Sequence, residues 1–175
     1  MRTLPALLLA AFVLPTLAFA APAPKKPVAK AVHPAAAAAS TGPRSIGVFG
    51  DWQAATYSDG GQGVCYAFTR AAGAPPATAA VLTVSERPGA RDSVAITTPG
   101  LYPANAALSV HVDKTVLDFY TAQHSAFARD GRIAVAAFHK GSAAIAPSGA
   151  KSEDRFSLKG FSAAYGAILK ACPAK

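Results

Sequence analysis

From Ser45 onward the chain alternates short apolar segments with Gly, Pro and Asp punctuation, a pattern that predicts an all-β domain. Turn signals stand at Ser58 to Gly63, Gly73 to Pro76, Arg87-Pro88-Gly89, Thr98-Pro99-Gly100, Asp130-Gly131, Lys140-Gly141 and Pro147-Ser148-Gly149. In Leu108 to Asp113 the apolar residues fall on every second position, which predicts a strand with one buried face at a sandwich edge or on an outer strand. Ile133 to Phe138 is apolar on both faces and reads as a central strand. Near the end the period changes. Leu158, Phe161, Ala164, Tyr165, Ile168, Leu169 and Cys172 form one stripe of a helix, with Ser157 as its cap, Lys170 at the negative end of its dipole and Pro173 as its stop. The sequence thus predicts sheets with a single helix packed on them.

The first twenty residues have a different pattern. Arg2 precedes an apolar run from Leu4 to Leu17 that ends in Ala18-Phe19-Ala20, the small-x-small pattern cut by signal peptidase. The cut is expected between Ala20 and Ala21. The rival is an uncleaved anchor, but the run is short for the roughly 20 residues a span needs and carries Pro5 and Pro15. The mature chain is therefore expected to carry no transmembrane segment and to reside in the periplasm, with the cell surface and the medium as further addresses. Residues 21–44 are rich in Ala, Pro and Lys and read as a disordered linker, in which proline favours extended segments of about 3.1 Å per residue. Residues 45–175 are about 130 positions, enough for one domain.

The net charge of +8 changes meaning once it is placed. Lys25, Lys26, Lys30 and Arg44 sit in the linker without an acid, while every acid falls from Asp51 onward and offsets most of the remaining bases. A nucleic-acid binder concentrates Lys and Arg on one face with interleaved aromatics, so no nucleic-acid partner is expected.

Two cysteines, Cys65 and Cys172, remain after the signal, and in an oxidising compartment they are expected to pair. A loop of roughly 100 residues closed in this way is stabilised by about 4.7 kcal/mol in the chain-entropy model. Thiol redox catalysis is the rival reading, and the neighbouring cysteine of a C-x-x-C motif is absent. His111, His124 and His139 are the candidate metal ligands, but no H-E-x-x-H or H-x-H pairs them. Gly160-Phe161-Ser162-Ala163-Ala164 begins like a nucleophile elbow and ends in the wrong residue. Glu86 and Asp118 stand as isolated acids. Trp52 reads as core, with a ligand platform as the sharper alternative. No catalytic residue, metal ligand or cofactor emerges.

Four stretches, taken in order, resemble the invasion-associated locus B family of exported bacterial proteins. They are Phe49-Gly50-Asp51-Trp52, Val64-Cys65-Tyr66-Ala67, Val84-Ser85-Glu86-Arg87-Pro88, and Asp154 to Ala164 with Ala171-Cys172. The last holds the landmarks Ser157, Leu158, Gly160 and Phe161, and Lys140-Gly141 matches a lysine-glycine turn. The chain departs where many relatives carry another cysteine and it has Ala55-Thr56-Tyr57. The resemblance implies an immunoglobulin-like β-sandwich with one C-terminal α-helix tied on by the disulfide. It brings no catalytic residues, and its name is linked to host-cell entry. The function expected is a non-enzymatic envelope protein that binds a protein or glycan of the envelope or host surface. The alternative is a small periplasmic enzyme or metal binder using His111, His124 and His139.

Overall fold

The computed structural model describes residues 42–148 and 152–174. The cleavage site at Ala20 and Ala21, and the linker up to residue 41, lie outside the described residues. Ten strands and two helices follow in chain order: β1 (Arg44–Phe49), β2 (Trp52–Asp59), β3 (Gln62–Arg70), β4 (Val81–Arg87), β5 (Ala90–Thr97), β6 (Ala107–Val112), β7 (Thr115–Ala122), β8 (Ser125–Ala128), α1 (Gly131–Lys140), β9 (Ala143–Pro147), β10 (Glu153–Ser157) and α2 (Phe161–Ala171). All strand pairs are antiparallel, in one ladder of order β1-β2-β3-β4-β5-β8-β7-β6-β9-β10.

Tight turns make both halves of that ladder. Gly60 and Gly61 take positive φ between β2 and β3, and Gly89 does so between β4 and β5, the left-handed conformation these hairpins need and glycine supplies without a Cβ penalty. The jump comes after β5, where a strap of residues 98–106 crosses to β6 so that β8 pairs with β5. The strap is laced to the β7–β8 hairpin by Thr98 N to His124 O (2.9 Å), Tyr102 N to Gln123 O (2.8 Å) and Asn105 N to Thr121 O (3.2 Å). The ladder folds back on itself: Ala72 N, just past β3, donates to Arg155 O of β10 (2.9 Å). The result is a β-sandwich whose two layers belong to one continuous ladder.

Its core is filled from alternate positions: Leu82 and Val84 of β4, Ile96 of β5, Val110 of β6, Phe119 of β7 and Phe156 of β10, with Phe138 of α1 and Phe161 and Ile168 of α2. Burying a side chain of this size contributes about 1.5–3 kcal/mol relative to leaving it exposed. Among the described residues no helix is long and apolar enough to cross a membrane.

Three local expectations are corrected. Ile133 to Phe138 is not a central strand but the body of α1, so two helices pack on the sandwich. A six-residue apolar run cannot by itself distinguish a buried strand from a helix, and Asp130 decides it by accepting Ile133 N at 3.0 Å as an N-cap. Ala134, Val135 and Phe138 then form the buried stripe, while Ile133 is 57% exposed. Ser157 does not cap α2. It ends β10, and the helix starts after Gly160, whose φ of 93° replaces a side-chain cap with a left-handed corner. The alternating strand β6 is no edge, since it pairs with both β7 and β9.

Candidate functional site

The landmark residues from the two ends of the domain meet in one knot. Gly50 and Asp51 form the corner between β1 and β2, with Gly50 at φ 58°. Asp51 N donates to Lys159 O (3.0 Å), Ser157 Oγ donates to Asp51 Oδ2 (2.6 Å), and Trp52 Nε1 donates to Ser157 O (2.9 Å). Thr69 Oγ1 of β3 adds a bond to Asp51 O (2.8 Å). Trp52 is fully buried, its ring edge-on to Phe161 with centroids 4.9 Å apart, and Leu158, next after Ser157, is buried with its N–H on Ser142 O. The glycines are required by proximity: a Cβ on Gly160 would collide with Phe49 O, and one on Gly50 would lie 2.8 Å from Lys159 O. These bonds tie the β1–β2 corner to the end of β10, so the knot is structural, and Trp52 is core rather than a ligand platform.

A second polar cluster lies where α2 ends. Cys65 and Cys172 are bonded, with Cα atoms 5.9 Å apart, and Glu86 stands opposite Cys65 in the β3–β4 register. Glu86 is 0% exposed. Its Oε1 accepts Asp92 N at 3.1 Å. Its Oε2 lies 2.6 Å from Arg91 Nε, an ion pair off the line of the N–H, so that oxygen accepts no hydrogen bond among the described residues. Arg91 in turn donates Nη1 to Cys172 O (2.8 Å), and Asp92 accepts the Tyr165 hydroxyl. Burial pushes the Glu86 carboxyl above its usual range, against the lowering effects of the Asp92 N–H and the Arg91 charge. Burial likewise raises the Tyr165 phenol, helped by the Asp92 bond. This network ties the β4–β5 hairpin to the disulfide and to α2. Arg87 and Pro88 sit at its solvent side, lining a recess over Cys172.

A second opening, equal in volume to the recess over Cys172, has a different character. A cleft of about 550 Å³ lies between the 98–106 strap, β6 and β10, bordered by Thr98, Leu101, Tyr102, Pro103, Leu108 and Asp154. The Tyr102 hydroxyl is buried beside it and makes no well-formed hydrogen bond among the described residues, although the Thr98 side chain is near enough to favour the ionised phenol. Asp154 is half-buried, has no ion pair among the described residues, and burial raises its carboxyl above the ordinary range. Burial also raises the Tyr102 phenol, with the Asp154 charge adding to it.

No family model and no curated protein matches the sequence. Among solved structures, the crystal structure of invasion associated protein B from Bartonella henselae matches with a TM-score of 0.53 and 17% identity, over 73% of this chain and 96% of that one. This chain has the fold of invasion associated protein B. The likeness read from the four sequence stretches is therefore met at the level of the fold, and the elements shared with invasion associated protein B leave the chemistry of the cleft to be argued from this chain's own residues.

The histidines are scattered over this fold. His111 is exposed on β6, His124 sits in the β7–β8 turn with Nδ1 2.9 Å from Gly100 O, and His139 ends α1. No group of three metal-ligating side chains converges among the described residues. His139 Nδ1 does come within 2.8 Å of Ser162 Oγ, a contact invisible in the sequence. Both residues are exposed, and Phe161 and Tyr165 pack around the imidazole, with ring centroids at 5.0 and 5.4 Å. The pair joins α1 to α2. Asp118, the other isolated acid, is exposed on β7. Sequence reasoning missed the cleft because Tyr102, Leu108 and Asp154 come from three separate segments. The one signal available was the Pro-rich strap around Tyr102, where a tyrosine among turn residues marks a polar tip with no regular element to serve it.

Proposed function

We propose that this chain is an exported, non-enzymatic envelope protein of the invasion-associated locus B type, acting in the periplasm or at the cell surface as a binding module. Its partner enters the cleft beside Tyr102. The observation that carries this reading is the cleft itself: an open recess of about 550 Å³ with an exposed Leu101 (73%) at its rim and the half-buried Asp154 at its border. Concave, mostly apolar sites with a few convergent polar groups are where ligands bind. The groups with catalytic potential are otherwise engaged: Glu86 holds Arg91, Asp51 holds Ser157, and Ser162 meets His139 through Nδ1 on an exposed helix pair. The name of the structural neighbour, invasion associated protein B, favours a role tied to host-cell entry, with envelope integrity as the alternative for a member outside a pathogen.

The test is site-specific photo-crosslinking in the native cells. A photoreactive side chain at Leu101 is compared with one at Val48, an equally exposed position (70%) on β1. A discrete adduct formed from Leu101 and not from Val48 is expected. Capture of nothing discrete from either position overturns the binding-module reading.

A further inference from the structure

The two sulfurs of the Cys65–Cys172 bond stand in unlike surroundings. Cys65 is fully buried in β3, whereas Cys172 is half-buried and lines the recess of about 550 Å³ at the end of α2. Gly63, two residues before Cys65, is exposed and lines the same recess. A Cβ added to Gly63 would meet Cys172 Sγ at 3.9 Å and, its chain neighbours aside, no other atom within 4 Å. Gly63 is not among the glycines with positive φ, so its backbone does not require glycine. What its missing side chain does is leave the Cys172 sulfur uncovered on the side of the recess. Arg91 Nη1 donates to Cys172 O at 2.8 Å and fixes the residue at that wall.

We propose that this disulfide is a thiol-exchange site, at which a dithiol small enough to enter the recess attacks Cys172 Sγ over Gly63 and reduces the bond in the folded protein. A reaction of this kind begins with a thiolate. In the first step the thiolate bonds to Cys172 Sγ as the Cys65–Cys172 bond breaks, and Cys65 leaves as a thiolate that takes a proton from solvent. The second thiol, deprotonated in its turn, attacks the dithiol's own sulfur in the mixed disulfide and expels Cys172, which is protonated likewise. The dithiol is oxidised to a disulfide, the two electrons pass to the cystine, and the two protons it releases equal the two the cysteines take up. Cys65 offers no second point of attack, because its burial closes the approach. The start of α2 keeps the Trp52–Phe161 contact, while its last turn loses the covalent tie to β3. Exchange therefore acts on one end of one helix, and it is independent of the cleft beside Tyr102.

The test exposes the purified chain to dithiothreitol without denaturant, alkylates free thiols at intervals and counts the labels by mass spectrometry. The native chain is expected to be reduced while folded, with a rate that rises about tenfold per pH unit below the reagent's own pKa, since the thiolate is the attacking form. Gly63→Val places a branched side chain over the sulfur in a strand that suits it, and should slow reduction at least about tenfold by blocking access. Gly63→Ala adds one methyl at ordinary contact distance and should slow it by a smaller factor, about twofold. Gly166→Ala, in the same helix with open space around it, should leave the rate unchanged. A cooperative thermal melt of each oxidised variant verifies that it is folded. With glutathione in place of the dithiol, rapid alkylation should trap the mixed disulfide on Cys172.

A native chain inert to dithiothreitol until denatured overturns the proposal. So does reduction that is indifferent to Gly63 and slowed severalfold by Gly166→Ala, which would mean that the bond is reached only after the helix melts. Glutathione found on Cys65 overturns the assignment of the attacked sulfur.

Discussion

Ser157 donates its hydroxyl to Asp51 at 2.6 Å across 106 residues of sequence, and the same serine's carbonyl receives the indole of Trp52. One residue at the end of β10 therefore fastens the β1–β2 corner twice, once through its side chain and once through its backbone. Ser157→Ala removes the two side-chain bonds, the one donated to Asp51 Oδ2 and the one its oxygen accepts from Lys159 N at 3.2 Å, and leaves both groups short of a partner. Urea unfolding should register a loss of about 1 kcal/mol with an unchanged slope. A loss near zero would mean that the backbone bonds hold the corner unaided.

Glycine substitutions separate geometry from propensity in α2. Gly160→Ala places a methyl against Phe49 O at a residue whose φ is 93°, and should cost more than about 3 kcal/mol through forced displacement and strain. Gly166→Ala, in the middle of the same helix with nothing within 4 Å of the new carbon, should instead stabilise by roughly 0.5–1 kcal/mol, because alanine gives up less entropy in a helix. Thermal melts of the two variants should move in opposite directions.

The disulfide joins positions 107 apart. Replacing Cys65 and Cys172 together by alanine should lower stability by about 3–5 kcal/mol, since the denatured chain regains the freedom of a long loop. Denaturant unfolding with and without a reducing agent should show the same gap for the native chain and none for the double variant. A native protein indifferent to reduction would place the stabilisation of α2 elsewhere.

Glu86 makes stability depend on pH in a direction fixed by its environment. Its folded-state carboxyl titrates above the ordinary value of 4.5, chiefly through burial, so the folded state holds that proton more tightly than the unfolded one. The contribution is present in full below pH 4.5 and is lost as pH rises through the raised value. Glu86→Gln keeps an acceptor for Asp92 N but does not titrate. Its stability relative to the native chain should therefore improve from acid to neutral pH in urea unfolding at a series of pH values. A constant difference would show that Arg91 fully compensates the buried charge.

Much of this architecture can be read along the chain where a local rule has no competitor. The alternation of Leu108, Val110 and Val112 is that of β6, and Phe161, Ala164 and Ile168 do bury one face of α2. The cysteine pair is likewise legible from compartment and count. Ile133 to Phe138 was not, because a short apolar run satisfies either period and only the Asp130 cap distinguishes them. Ser157 looked like a helix cap by composition, yet its hydroxyl is used across the sandwich, a partnership no local window contains. The same holds for the polar clusters. Glu86 appears isolated in sequence and becomes the centre of a network once Arg91, Asp92 and Tyr165 are brought to it, while the cleft assembles Tyr102 and Asp154 from segments some fifty residues apart. The positive φ of Asp92 (52°) also escapes a sequence reading, since it lies inside β5 where the β4–β5 register shifts, and a shift in pairing depends on both strands.

The knot around Ser157 has a consequence for the order in which the molecule acquires its shape. A chain synthesised from its N-terminus presents Gly50, Asp51 and Trp52 early, and the groups that will bind them arrive only with the final twenty or so residues. Until Ser157 to Phe161 emerge, the β1–β2 corner lacks its ties, and the indole of Trp52 has neither its acceptor nor the Phe161 ring. Contacts of such sequence separation slow folding, because loop closure must be completed before they stabilise anything. A nascent domain truncated before Ser157 would accordingly stay open and a target for proteases, and the arrival of the first turn of α2 would act as the signal that the β1–β2 corner can close.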